Sequence, residues 1–191
     1  MTNFLSFIKK RWYLFVVLVL IGFLVFYFLA QKRTKTTPEP SPTPLLTEYK
    51  NIQPGKTTEN DLKSQLGQPL STTQQGSLLI YKYPSLFTNY PSSIFISNDK
   101  VVYINEPVRF EEKRNISTYL DDFGQPDTKL YNPNLGPAVP GYIYPQKGVA
   151  VFAHTSDGII IEVWYFEAMS LDNFKKTWGK DLVSQFNNSP E

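Results

Sequence analysis

The chain has 191 residues, no cysteine and a formal net charge of +2, which excludes disulfide staples, zinc-thiolate sites, thiol nucleophiles and a lipid-modified N-terminal cysteine. Six of the nineteen basic residues (Lys9, Lys10, Arg11, Lys32, Arg33, Lys35) precede Glu48, and from there on thirteen basic and sixteen acidic residues leave the remainder near −3. A mildly acidic domain has no general electrostatic attraction for nucleic acid, so none is expected as a partner.

After a short tail, residues 1–11, the run Trp12 to Ala30 contains nineteen residues without a charge. At 1.5 Å per residue it is about 28 Å long, close to the thickness of a bilayer's hydrocarbon core. Trp12, Tyr13 and Tyr27 near its ends, with Lys and Arg just outside, fit interfacial anchoring. The spacing predicts an uncleaved transmembrane helix, because bulky Phe26 to Leu29 and then Gln31, Lys32 and Arg33 do not form a cleavage site. The expected location is the cell membrane, single-pass, with the C-terminal part extracytoplasmic and the lipid bilayer as the helix's partner.

Residues 31–47 form a Pro/Thr-rich linker with four prolines between positions 34 and 46, a composition that favours extended polyproline segments and builds no core. Residues 48–191 are then a soluble domain of the usual single-domain size.

Within it, Thr58 and Asp61 make a capping pair, Leu62 and Leu66 share a helix face, and Gly67-Gln68-Pro69 stops the helix. Strand-forming runs follow at 78–84, 94–96 and 101–104, with a turn at Ser97 to Lys100. The pattern recurs 57 residues later. Asn115 takes the cap position, Tyr119 and Phe123 stand for the leucines, Gly124-Gln125-Pro126 stops the helix, and strands flank a turn at Ser156 to Gly158. A third start at Ser170 carries Phe174 and Trp178 before Gly179, and Leu182, Val183 and Phe186 extend it. The fold class expected is α+β: two tandem helix-plus-antiparallel-sheet units, about 52–106 and 112–167, with a C-terminal helix at about 170–187, preceded by the transmembrane helix.

With Gly55-Lys56-Thr57-Thr58, Leu62 and Leu66-Gly67-Gln68-Pro69 in view, the chain resembles the superfamily of the small outer-membrane-assembly lipoproteins (SmpA/OmlA, or BamE, type) and the secreted beta-lactamase inhibitory proteins. The resemblance implies non-enzymatic cell-envelope modules that contact other proteins through a concave sheet face.

No catalytic, cofactor or metal residue is expected. His154 is the sole histidine and has no second imidazole or thiol with which to build a site. Ser97 and Lys100 match a Ser-x-x-Lys spacing but lie in a hairpin turn rather than at a helix start. The pairs Glu111-Glu112 and Asp121-Asp122 point away from each other in regular structure. Twenty aromatics follow Glu48, and Tyr81, Tyr83, Tyr90, Tyr131, Tyr142 and Tyr144 are the candidate binding surface, since tyrosine offers large, rigid contact area. The function expected is a membrane-anchored extracytoplasmic protein-binding or envelope-assembly module with an envelope protein as partner. Inhibition of a secreted or envelope enzyme, through a loop such as Asn132 to Pro137, or a carboxylate-dependent hydrolase are the alternatives.

Overall fold

The structure, a computed structural model, describes residues 46–85 and 89–186. The expected tail, the apolar run 12–30 and the linker up to residue 45 lie outside the described residues. Among the described residues no helix is long and apolar enough to cross a membrane; the expected transmembrane helix falls on residues outside them, and what the structure corrects is the arrangement of the soluble part. The chain divides into two units, Met1–Thr43 and Pro44–Glu191, and the second is described below.

Helix α1 (Glu59–Leu66) starts and stops where its residues dictate. The Thr58 hydroxyl accepts from the Asp61 amide at 3.1 Å, and the Asp61 carboxylate accepts from the Thr58 amide at 3.3 Å, so two amides without helical partners are satisfied reciprocally. Gly67, at φ 79, ends the helix, and its N–H donates to the Lys63 carbonyl. Four antiparallel strands follow, β1 (Ser71–Gln75), β2 (Leu78–Tyr83), β3 (Ser92–Ser97) and β4 (Lys100–Pro107). Asn98 and Asp99, with φ 51 and 62, make the two-residue turn between β3 and β4, the conformation that matches strand twist.

Helix α2 (Ser117–Phe123) precedes β5 (Thr128–Tyr131), β6 (Pro140–Tyr144), β7 (Val149–Ala153) and β8 (Ile160–Phe166). Asn115 acts slightly ahead of the helix: its Oδ1 accepts from the Ser117 amide at 3.0 Å while its Nδ2 donates to the Asp157 carbonyl at 2.8 Å. The same side chain therefore ties the helix start to the β7–β8 turn.

The eight strands form one antiparallel sheet in the order β1-β2-β3-β4-β8-β7-β6-β5. This corrects the expectation of two tandem helix-plus-sheet units. Each set of four strands would leave the backbone groups of its last strand unpaired, and β4 and β8 satisfy each other instead, from Tyr103 opposite Phe166 to Pro107 opposite Glu162. One core runs across both sets on the helix-bearing face, where Leu62, Tyr81 and Tyr83 share a cluster with Tyr119, Tyr144 and Tyr165. The tandem-repeat description gives way to a single continuous sheet.

The other face carries a second core of Tyr103, Ile143, Phe152, Trp164 and Phe166, covered by the C-terminal segment through Phe174, Trp178 and Leu182. Here too the extent differs from expectation. Helix α3 spans only Leu171–Lys176, with the Ser170 hydroxyl accepting from the Asn173 amide. Gly179 then turns the chain: its N–H donates to the Phe174 carbonyl at 2.8 Å, and a Cβ there would stand 2.6 Å from the Phe174 ring. The close approach, not helix continuation, explains the glycine. Beyond it, Val183 and Tyr131 exchange backbone hydrogen bonds of 2.8 and 2.9 Å, so the segment ends as a short bridge on the β5 edge.

Candidate functional site

The six candidate tyrosines do not form a shared surface. Tyr81, Tyr83, Tyr142 and Tyr144 are 4%, 2%, 9% and 2% exposed, and all four rings belong to the helix-side core. The physical reason is the period of two along a strand: positions 81 and 83, like 142 and 144, point to the face that the helices cover. Their hydroxyls have partners there. Tyr83 donates to the Gly67 carbonyl at 3.0 Å and Tyr144 to the Gly124 carbonyl at 3.1 Å, satisfying acceptors freed at helix ends. Burial pushes the Tyr144 hydroxyl up to about 12. Tyr81 donates to Glu59 at 2.6 Å, beside the Lys63 ammonium. Tyr131 is half-buried against Phe186 at the β5 edge, and of the six only Tyr90 is well exposed, at 68%.

Two polar clusters occupy the sheet. On the helix side, Arg114 Nη1 donates to Glu106 Oε1 at 2.8 Å and the Tyr165 hydroxyl donates to Glu106 Oε2 at 2.7 Å. Arg114 Nη2 reaches the Tyr165 and Tyr119 oxygens at 3.4 and 3.5 Å. Burial, the largest single influence, works against the guanidinium's charge, but Glu106 together with the Tyr165 and Tyr119 hydroxyls outweighs it and the pKa is raised. Every group is satisfied within the cluster, which joins β4, β8 and α2 at the centre of the sheet. Its chemistry is that of a structural clamp.

On the other face, Glu162 Oε1 accepts from Trp164 Nε1 and from Asn105 Nδ2, the latter at 2.8 Å. Burial holds the Glu162 carboxyl above the usual range, with those two donors opposing the shift. Nearby in the same sheet, the Lys82 ammonium donates to Ser93 Oγ at 2.6 Å. Among the described residues no three His, Cys, Asp or Glu side chains come together in a metal-holding group. His154 lies at the end of β7, where its amide and carbonyl close the turn to Ile159 and Gly158. Glu111 and Glu112 serve Arg109, through a 3.1 Å ion pair and a 3.0 Å bond from its amide.

The exposed apolar groups lie elsewhere. Leu70, Tyr90 and Phe110 are 66%, 68% and 58% exposed, and Val183, against the β5 edge, is exposed to a lesser degree. Leu70 precedes β1, Tyr90 precedes β3, and Phe110 follows β4 in a short 3-10 turn, Phe110–Glu112. The register sets Ser71 against Lys82, Tyr83 against Ser92, and Ser93 against Asn105, so all three residues fall at the same end of the β1–β4 strands. Leu70 and Phe110 were not expected as contact residues. Their signal in the sequence is faint, an isolated leucine after Pro69 and an isolated phenylalanine between Arg109 and Glu111.

No protein-family model matches the chain, and no curated protein matches it. Solved structures similar to it include a DUF4309 family protein (YjgB) from Bacillus subtilis, 12% identical, with a TM-score of 0.41 over 61% of this chain and 83% of that one. A cysteine-rich secretory protein from Staphylococcus aureus is 10% identical, with a TM-score of 0.40 over 70% of this chain and 50% of that one. An extracellular protein containing a SCP domain from Bacillus anthracis is 10% identical, with a TM-score of 0.45 over 78% of this chain and 56% of that one. Neither a family model nor a curated protein supports the resemblance to the outer-membrane-assembly lipoproteins or the beta-lactamase inhibitory proteins, and the single continuous sheet departs from the tandem units drawn with it, so that resemblance, which rested on the Gly-Gln-Pro motifs, is corrected. Those motifs stop helices, a local task that unrelated folds share.

Proposed function

We propose that this chain is a non-catalytic protein-binding module of the cell envelope, held at the membrane by its N-terminal apolar segment with the sheet domain on the extracytoplasmic side. The observation that carries the reading is the exposure of Leu70, Tyr90 and Phe110 at the same end of the β1–β4 strands. Exposed large apolar side chains are frequent anchors of protein contacts, and aromatic ones dominate binding energy when a partner covers them. The polar clusters support the same reading, because the Arg114 group is spent on holding the sheet together and Glu162 is spent on Trp164 and Asn105.

The experiment is site-specific photo-crosslinking in cells, with a benzophenone amino acid replacing Tyr90 or Phe110 and, as control, the exposed Asp172 of α3. A discrete adduct with another protein at positions 90 and 110, absent at 172, is the expected result. Equal adducts at all three positions, or none at 90 and 110, would overturn the proposal.

A further inference from the structure

An open sheet has two edges, and this one treats them differently. The β5 edge is only four residues long, carries Lys129, and is bridged by Val183 through two backbone hydrogen bonds to Tyr131. Charge, shortness and a covering segment are the ordinary ways in which a protein keeps an edge from pairing with another chain. At the opposite edge, β1 is Ser-Thr-Thr-Gln-Gln, all five residues exposed, with no charge and no proline. It is hydrogen-bonded to β2 alone among the described strands, and alternate N–H and C=O groups of a strand so placed face outward.

We infer that β1 is a self-association edge, pairing antiparallel with the β1 of a second copy of this chain about a two-fold axis at Thr73. This goes beyond the proposed function, of whose exposed residues Leu70 adjoins this edge while Tyr90 and Phe110 lie at other strand ends. A two-fold interface sets each residue against its mirror position, so Ser71 meets Gln75, Thr72 meets Gln74 and Thr73 meets itself. No like charges are brought together, and threonine pairs are favourable cross-strand neighbours. The same register sets Leu70 against Gly76 of the copy. Leu70 is otherwise exposed, and no heavy atom lies within 4 Å of where a Cβ of Gly76 would stand, so the space beside that turn is open to receive it. Five residues a side bury far less than the ~800 Å² per partner of a standard interface, and the pairing is therefore weak and concentration-dependent.

The chain's lack of cysteine permits a register-specific test on the full-length protein in membranes. In the inferred pairing the two Thr73 Cα atoms are about 5 Å apart, within disulfide reach, whereas the two Ser71 Cα atoms are four residues apart along the strand, about 13 Å, and out of reach. Mild oxidation is expected to link T73C into a covalent dimer at least about tenfold more than S71C or K129C alone, which lack a partner in reach. Co-expressed S71C and Q75C are expected to link to each other. All the substituted positions are exposed, so folding is preserved, and unchanged circular dichroism checks it. T73C linking no more than K129C overturns the inference, as does S71C linking by itself as well as T73C.

Discussion

Replacing Arg114 by methionine keeps most of the side chain's volume and removes its charge, and the structure states what is left behind. Glu106 loses its 2.8 Å ion pair, and the hydroxyls of Tyr119 and Tyr165 lose a donor. Removing one partner of a buried ion pair costs about 3–5 kcal/mol, since the other charge stays desolvated. The side chains of Arg114 and Glu106 are 28% and 16% exposed, so water screens the orphaned carboxylate partly and the expected loss is at the lower end, about 3 kcal/mol. Glu106→Gln, which keeps an acceptor for Arg114, should cost about 2 kcal/mol. The double variant carries no uncompensated charge, and its loss should fall short of the sum by about 2 kcal/mol. Urea unfolding followed by tryptophan fluorescence measures all four proteins, with Trp164 and Trp178 inside the sheet domain. Additivity within about 0.5 kcal/mol, or single losses below about 1 kcal/mol, would refute the clamp.

Tyr83→Phe and Tyr144→Phe each remove one hydroxyl from a helix-end carbonyl while leaving the ring in place. Each should lower stability by about 1 kcal/mol, and the two by the same amount within error, because the geometries match; a null effect in denaturant melts would show that water replaces the bond freely. Glu162 supplies a pH test. Its folded pKa is raised by burial, so the folded state holds its proton more tightly than the unfolded chain. Stability from this group is then fully present below the ordinary carboxylate range of about 4.3 and is lost as pH rises through the raised folded value. Glu162→Gln keeps an oxygen for Trp164 and Asn105, and should match the unmutated chain in melting temperature near pH 4 while exceeding it at pH 7. A larger advantage at pH 4 than at pH 7 would reverse the sign and sink the reading.

Local signals were legible in the sequence where a few neighbouring residues settle the backbone. Thr58 with Asp61, and the glycines at 67 and 124, mark helix ends that the structure reproduces, because a cap needs only residues three positions apart and a stop needs only a residue that tolerates positive φ. The turn at Asn98 and Asp99 is of the same kind. Tyr81 and Tyr83 were legible as strand residues but not as core, since alternation separates two faces without saying which one meets water. Two helices settle that question by covering one face, and the C-terminal segment settles it for the other.

What the sequence by itself determined is therefore the set of short elements and their ends, together with the absence of cysteine chemistry. Only the tertiary structure decided that β4 pairs with β8 to make one sheet, that Arg114, Glu106 and Tyr165 meet there, and that Tyr81, Tyr83, Tyr142 and Tyr144 are buried while Leu70, Tyr90 and Phe110 are exposed. Glu106 and Tyr165 are 59 residues apart. Contacts across such distances are selected by how whole faces pack and how edge amides find partners, and no periodicity within one strand carries that information.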